Sequence, residues 1–402
     1  MKMGDKITKY SAAVAIPTVR TDFAIFSRRF SVWLVRSRSL MKNLGFMVMA
    51  ILAGCASAPP APEFIPPVFP APPDPPRFIF ERSLSFSDNV EITTRGERFR
   101  MFALGENKAV KGLIKPFGVA VYRGQVYVTD TAQRVVVVFD IAQGRYREIG
   151  RAHTLSDGPG QLTKPMGIDV SSRGEVFVSD MTLRQIFVYD VNGKYLRTIG
   201  DKTLFNRPSG VAVSPDSTRL YVVDTGGVES DAHQVLVFDA QSGARLQTIG
   251  KRGIKDGEFN MPLQAAVGPD GTLYVTDKGN FRVQAFHPDG SFALAFGSAG
   301  RFPGQFASPK GIAADAQGNI YVVDTAFGNF QIFNNQGQLL MFIGERGAGG
   351  APARYMLPAG IDVDEDGRIY MVDQFFRKVD VFRPIGLQAH EGYAGDKPEN
   401  SK

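Results

Sequence analysis

The chain has 402 residues, 44% of them apolar, with four His, a single Cys and a formal net charge of +6. The basic excess sits at one end: residues 1–54 carry nine Lys and Arg and two Asp and Glu, leaving 37 of the 46 basic and 38 of the 40 acidic residues for the remainder. A body with a net charge of about −1 has no general attraction for polyanions, so nucleic-acid binding is not expected of it.

Residues 1–40 are basic and hold the only Trp, Trp33, inside a short apolar run from Phe30 to Val35. That run is too short to cross a bilayer, which takes about 20 apolar residues. From Met41 the pattern sharpens: Lys42, an apolar stretch from Leu44 to Ala53, then Leu52-Ala53-Gly54-Cys55. A positive start, a short apolar core and small residues before the cut describe a secretory signal peptide. Its ending resembles a bacterial lipobox, in which the cysteine is lipidated and becomes the new N-terminus. Cys55 is therefore expected to be a lipid anchor, residues 41–54 a leader, and residues 1–40 an over-extended start. Ala56 after the cysteine favours the outer membrane, facing the periplasm. From Pro59 to Pro76 ten of eighteen residues are proline, a composition that favours polyproline II; residues 55–76 are expected to form an extended stalk.

Phe78, Phe80, Leu84 and Phe86 then alternate with mostly polar residues as a strand does, whereas Phe99, Phe102 and Ala103 are spaced as in a helical turn. Beyond them one phrase, an aromatic residue, two further positions and Asp, recurs six times. It ends at Asp130, Asp180, Asp224, Asp277, Asp324 and Asp373, with gaps of 50, 44, 53, 47 and 49 residues. About a dozen residues upstream stands Pro-x-Gly: Pro116/Gly118, Pro165/Gly167, Pro208/Gly210, Pro309/Gly311 and Pro358/Gly360. The fourth unit keeps Pro262 but has Gln264 in place of Gly. Three residues before each proline is a bulky apolar residue: Leu113, Leu162, Phe205, Phe259, Phe306 or Tyr355. Downstream a third apolar run ends in an aromatic, and in the first five units a fourth run ends in Gly150, Gly200, Gly250, Gly297 or Gly344.

Short runs rich in Val, Ile, Tyr and Phe between Gly, Asp and Asn turns are strands. Four antiparallel strands per unit, six times over, predict an all-β fold, a six-bladed β-propeller spanning residues 77–384, because radial closure leaves only short protected edges. The sixth unit ends at Phe382 with three strands, so a segment from the N-terminal side must supply the fourth. Residues 77–86 are the expected closing strand and residues 98–104 the competitor. Residues 385–402 are expected to be a loose tail.

The unit, most complete over residues 262–297, resembles the NHL repeat, and the resemblance covers all six copies. It implies the propeller fold but does not fix an activity. Amidating lyases of this architecture hold zinc with histidines, and gluconolactonase and paraoxonase relatives hold calcium in the central channel. The resemblance thus implies a channel-metal hydrolase or lyase as the alternative to a non-catalytic role. His153, His233, His287 and His390 fall in different parts of the repeat and do not offer three ligands that meet. The innermost strands offer Asp169, Asp315, Asp362 and Asp364 with Gln264, but most of these Asp residues fall where a strand meets its turn or alternate outward. Neither a nucleophile elbow, a phosphate-binding glycine loop nor a CxxC pair is present. No cofactor and no metal are expected.

The six repeated Asp residues are expected to hydrogen-bond the turn that follows them, since Asp caps turns in this way. The turns between second and third strands share a face with the loops joining blades. In the last three units these turns hold Phe281, Phe327, Phe330, Phe375 and Phe376. Those aromatics, with Gln264 at the channel mouth, are the expected partner-binding residues. The sequence reading is a monomeric, membrane-tethered, non-catalytic scaffold for a protein or cell-envelope ligand.

Overall fold

The computed structural model describes residues 64–91, 95–105, 109–151 and 159–395. The leader, Cys55, the first part of the proline stalk, His153 and the end of the tail lie outside the described residues. Blade one consists of Pro116–Tyr122, Gln125–Asp130, Val135–Asp140 and Arg145–Ile149, strands a to d from the channel outward. Four further four-stranded antiparallel sheets and one five-stranded sheet repeat this order, giving the six predicted blades. The a strands, Pro165–Val170, Pro208–Val213, Pro262–Val267, Pro309–Ala314 and Pro358–Val363 in blades two to six, pack side by side around the axis.

The repeat dictates this packing. Strands b and c are buried on both faces, which is why they read as unbroken β-branched and aromatic runs; Val135 to Phe139 are all 0% exposed. The core is a series of seams between neighbouring blades, such as the one where Val136 and Val138 of blade one meet Val176, Val178 and Phe187 of blade two. At the end of strand d, glycine adopts positive φ so that the bulky residue of the next blade can pack on it. A Cβ on Gly297 would stand 2.3 Å from the Phe306 ring. The glycine of Pro-x-Gly has another cause: a Cβ on Gly311 would lie 2.4 Å from the Ala359 carbonyl oxygen, so inner strands can abut only where that position is bare.

The ring closes as expected. Phe78–Leu84 pairs antiparallel with Lys378–Pro384, Phe78 opposite Pro384 and Leu84 opposite Val379. Buried polar pairs lock this seam: Arg368 Nε donates to Glu81 Oε2 at 2.9 Å, and Ser83 Oγ to Asp380 Oδ1 at 2.6 Å. The competing segment forms a helix, α1 (Arg95–Leu104), in the loop leading from the closing strand to blade one.

Two expectations at the ends of the propeller need correction. The proline-rich segment is not a free spacer up to residue 76: Val68–Phe69 adds a fifth strand to blade six, and the Phe69 ring meets Phe382 edge-on at 5.6 Å. Nor is the first half of the tail loose. Arg368 Nη2 donates to the Glu391 carbonyl at 2.8 Å, the Tyr393 N–H donates to Asp366 at 2.7 Å, and Ala394 is buried. Both follow from blade six being the place where the chain ends meet, since an open sheet edge and a buried guanidinium each require partners.

Candidate functional site

Two faces flank the ring. The first carries the b–c turns and the loops joining blades, and the six repeated Asp residues build it. Each is fully buried, and each acts as a staple rather than as an open carboxylate. Asp324 Oδ2 accepts from the N–H groups of Ala307 and Ser308 at 2.7 and 2.9 Å in the incoming loop. Its Oδ1 accepts from Ala326 and Phe327 at 2.9 and 3.1 Å in the following turn. Asp373 binds Met356, Leu357, Phe375 and Phe376 in the same way, all within 3.1 Å. The expected turn-capping role is thus present, together with a second half that joins each turn to the preceding inter-blade loop. In blade four Asp277 departs from the pattern and takes donors from the side chains of Asn280, Arg282 and Gln284 as well as from Asn260 N–H.

The expected aromatic patch is corrected by these turns. Phe330 is fully buried in strand c of blade five, its ring 5.8 Å from Phe382, and cannot meet a partner. Phe281, Phe327 and Phe376 are half-buried. Phe375 alone of the five is exposed, at 60%, with Phe376 edge-on behind it at 5.1 Å. The face nonetheless exposes apolar tips, through residues that the sequence reading passed over. Leu183 and Val228 in b–c turns, and Ile254, Phe302 and Leu357 in inter-blade loops, are exposed alongside Phe375. Helix α1, in the inter-blade loop before blade one, exposes Phe99, Met101, Phe102 and Leu104 as well. The available signal was a lone apolar residue inside a Gly- and charge-rich loop, as in Arg252-Gly253-Ile254-Lys255 and Gly300-Arg301-Phe302-Pro303.

Around the channel mouth on this face the residue after each Pro of Pro-x-Gly forms a ring: Phe117, Met166, Ser209, Leu263, Lys310 and Ala359. Lys310 is its only charged member. Its Nζ donates to Gln374 Oε1 at 3.2 Å and stands 5.0 Å from the centre of the Phe117 ring. Burial, together with Lys278 and Lys115 nearby, pulls its pKa down to about 8, against a smaller opposing pull from Asp373. The exposed cations Lys115, Lys164, Arg184 and Arg207 also lie on this face. Among the described residues none of these four, nor Lys310, forms an ion pair.

Below the mouth the channel encloses about 230 Å³, lined from the Pro-x-Gly glycines down to Ser172 and Pro215 on the second face. Gln264 does reach this space: its Nε2 donates back to the Ser209 carbonyl at 3.3 Å, filling width that glycine leaves in the other blades. Asp169 and Asp362 also face the channel, at the position where the other four blades have Ala120, Ala212, Ala266 and Ala313. Each carboxylate reaches an unpaired backbone N–H on the inner edge of the next blade, Asp169 to Val213 and Asp362 to Val121, both at 2.7 Å. Burial raises the Asp169 pKa to about 6; burial and then the charge of Asp169 raise that of Asp362 well above the usual range. Asp315 and Asp364 instead close turns on the second face.

The channel donors do not fit the calcium implied by the gluconolactonase resemblance. Calcium takes six to eight oxygens, whereas here only two carboxyl groups, each already accepting a backbone N–H of the next blade, share the space with one amide. Among the described residues no three His, Cys, Asp or Glu are grouped to hold a metal. Of the histidines, His233 is buried in the blade-three turn, accepting from Met261 N–H at Nδ1 (3.2 Å) and bonding the Gly227 carbonyl through Nε2 (3.1 Å). His287 and His390 are exposed in separate places.

Blade number, strand order and ring closure define a six-bladed β-propeller. The NHL repeat model matches residues 259–286, and the model of a 6-bladed beta-propeller family matches residues 313–384. No curated protein matches the chain in sequence. Among solved structures it is similar to a protein of unknown function from Bacteroides thetaiotaomicron, at 17% identity, TM-score 0.52, covering 68% of this chain and 70% of that one. It is also similar to a gluconolactonase from Xanthomonas campestris, at 16% identity, TM-score 0.51, covering 68% and 86%. At these identities the likeness extends to the fold alone.

Proposed function

We propose that this NHL-repeat propeller is a non-catalytic docking module that presents its first face to a protein partner, held at the cell envelope by a lipid on Cys55. The observation that carries the reading is the segregation of exposed apolar residues. Leu183, Val228, Ile254, Phe302, Leu357 and Phe375 all lie in b–c turns or inter-blade loops, while on the opposite face the a–b turns expose no large apolar residue among those described and only Ile385 and Tyr393, where the chain leaves blade six, are exposed. Large exposed apolar residues gathered on one side of a molecule are a mark of an interaction site. The staples of the repeated Asp residues support the same reading, since loops held in place before binding lose little entropy on binding. Partner identity, the periplasmic location and the membrane tether belong to this proposal.

In-cell crosslinking followed by mass spectrometry, comparing wild type with a Phe302→Ser/Leu357→Ser/Phe375→Ser variant of equal thermal stability, tests the face. One protein captured by wild type and lost in the variant is the expected result; equal capture by both sinks the reading. Cys55→Ala tests the tether separately, and retention of that variant in the membrane fraction would refute it.

A further inference from the structure

We propose that the mouth of the channel on the first face is a carboxylate-binding site centred on Lys310, which receives one acidic side chain of an apolar peptide segment from the partner. The proposal rests on the docking role of this face and specifies the chemistry of what docks there.

Lys310 stands alone in its ring. The other five blades place Phe117, Met166, Ser209, Leu263 and Ala359 at its position, so the repeat does not require a charge there. The small Ala359 in blade six lets the Lys310 chain reach across towards blade one, where Phe117 faces its ammonium at 5.0 Å. A half-buried ammonium is costly unless a counter-charge meets it. Asp373 offsets this only in part: its two oxygens are taken by four backbone N–H groups, and it forms no ion pair with Lys310. Gln374 Oε1 supplies one neutral acceptor at 3.2 Å. Lys278 and Lys115 deepen the positive field at Lys310. The mouth therefore holds a cation with no direct anionic partner, and a carboxylate entering it gains a charge-assisted hydrogen bond in surroundings that screen little.

The surroundings choose the ligand's body. Ile114 adjoins Lys115, Leu357 precedes the Pro358 of blade six, and Phe375 follows Gln374; all three are exposed. A ligand with one recessed charge and apolar flanks is satisfied by this arrangement. Lys310 is set back from these tips, being half-buried whereas they are exposed. A flat anionic bilayer meets the tips and Lys115 before it can reach that ammonium, but a Glu or Asp side chain on a peptide reaches it.

The test is fluorescence anisotropy on the full chain with a fluorescein-labelled peptide alternating Glu with Leu and Phe, and with its Gln-for-Glu counterpart. Phosphatidylcholine vesicles with and without phosphatidylserine serve as the competing surface. The Glu peptide is expected to bind, and Gln for Glu, or Lys310→Met, to weaken binding by about tenfold or more. Wild-type affinity should fall as pH rises through about 8, and Lys310→Met should unfold no earlier than wild type. Equal binding of the Glu peptide by wild type and Lys310→Met overturns the proposal, as does Lys310-dependent binding of phosphatidylserine vesicles. If Phe375→Ser loses the peptide while Lys310→Met keeps it, the docking face survives without the carboxylate site. If wild type binds neither peptide, both the face and the site fall.

Discussion

The two faces of the ring are written by the same repeat, yet they use their carboxylates in opposite ways. On the second face an Asp closes its own a–b turn: Asp315 accepts from Gln317 and Asn319 N–H at 2.9 and 2.8 Å and takes the Tyr321 hydroxyl at 2.9 Å. Asp364 repeats this with Asp366, Arg368 and Tyr370. The turn is finished, and its side chains are spent on it. On the first face each repeated Asp instead ties a turn to the preceding inter-blade loop, and tips of these segments such as Ile254, Phe302, Leu357 and Phe375 stay exposed. The difference shows how a repeat can hold one side of a ring closed on itself while fixing loops with exposed apolar tips on the other.

Replacing a staple is the severest way to break the comparison. Asp324→Ala leaves four backbone N–H groups without their acceptor and is expected to cost about 3 kcal/mol or more in chemical denaturation, since hydrogen bonds to charged groups are worth about 1.5–3 kcal/mol each. The second-face substitution Asp270→Ala, in an exposed turn where Asp270 accepts from Thr272 N–H at 3.0 Å, is expected to cost at most about 1 kcal/mol. Equal losses would mean that the staples are no more than ordinary turn caps.

Gly311→Ala strikes the waist between the faces. With the Ala359 carbonyl 2.4 Å from the new Cβ, a loss of about 1–3 kcal/mol is expected from overpacking, read as an earlier unfolding transition. An unchanged transition would show that inner strands can part without penalty.

The channel carboxyls predict a pH effect. Asp169 is raised to about 6 from its ordinary 3.8, so the native state holds a proton that the unfolded chain has lost. The stability this contributes is fully present below about pH 4 and disappears as pH rises through about 6. Asp169→Asn should therefore be more stable than wild type at pH 7, by about 1–2 kcal/mol, and should flatten the fall in Tm between these pH values. A variant with the wild-type pH profile would place the titration elsewhere. The smallest effect on stability belongs to Phe375→Ser, expected within about 0.5 kcal/mol of wild type while peptide binding is lost.

What could be read from the sequence was whatever the repeat shows six times. The fixed offsets between Pro, Gly and Asp gave the blades, the closing strand and the structural role of the Asp residues, because the same backbone geometry imposes them in every copy. Side-chain direction at single positions was harder. Phe330 looked like a turn residue by its distance from Asp324, but Asn329 already pairs with Asp324 and Phe330 sits opposite Val323 in the ladder, pointing into the blade. Ile254 and Phe302 lie in loops with no period to say which residue points out. Among the four inner-strand Asp residues the pattern does not separate Asp169 and Asp362, which face the channel, from Asp315 and Asp364, which close turns; the register that turns the first two to the channel is shared with four alanines, whose small size gives no signal. Lys310 went unremarked because one cation in one copy of a repeat looks like any surface lysine until the ring around it is assembled.

The most direct test of the docking face is site-specific photo-crosslinking in cells, with the photoreactive residue placed at Phe302 or Phe375 on the first face and at Arg123 or Ile385 on the second. One and the same protein is expected to be captured from both first-face positions, from neither second-face position, and not when Leu357→Ser is combined with the first-face probes. Capture of that protein from the second face, or equally from both, would contradict the docking reading.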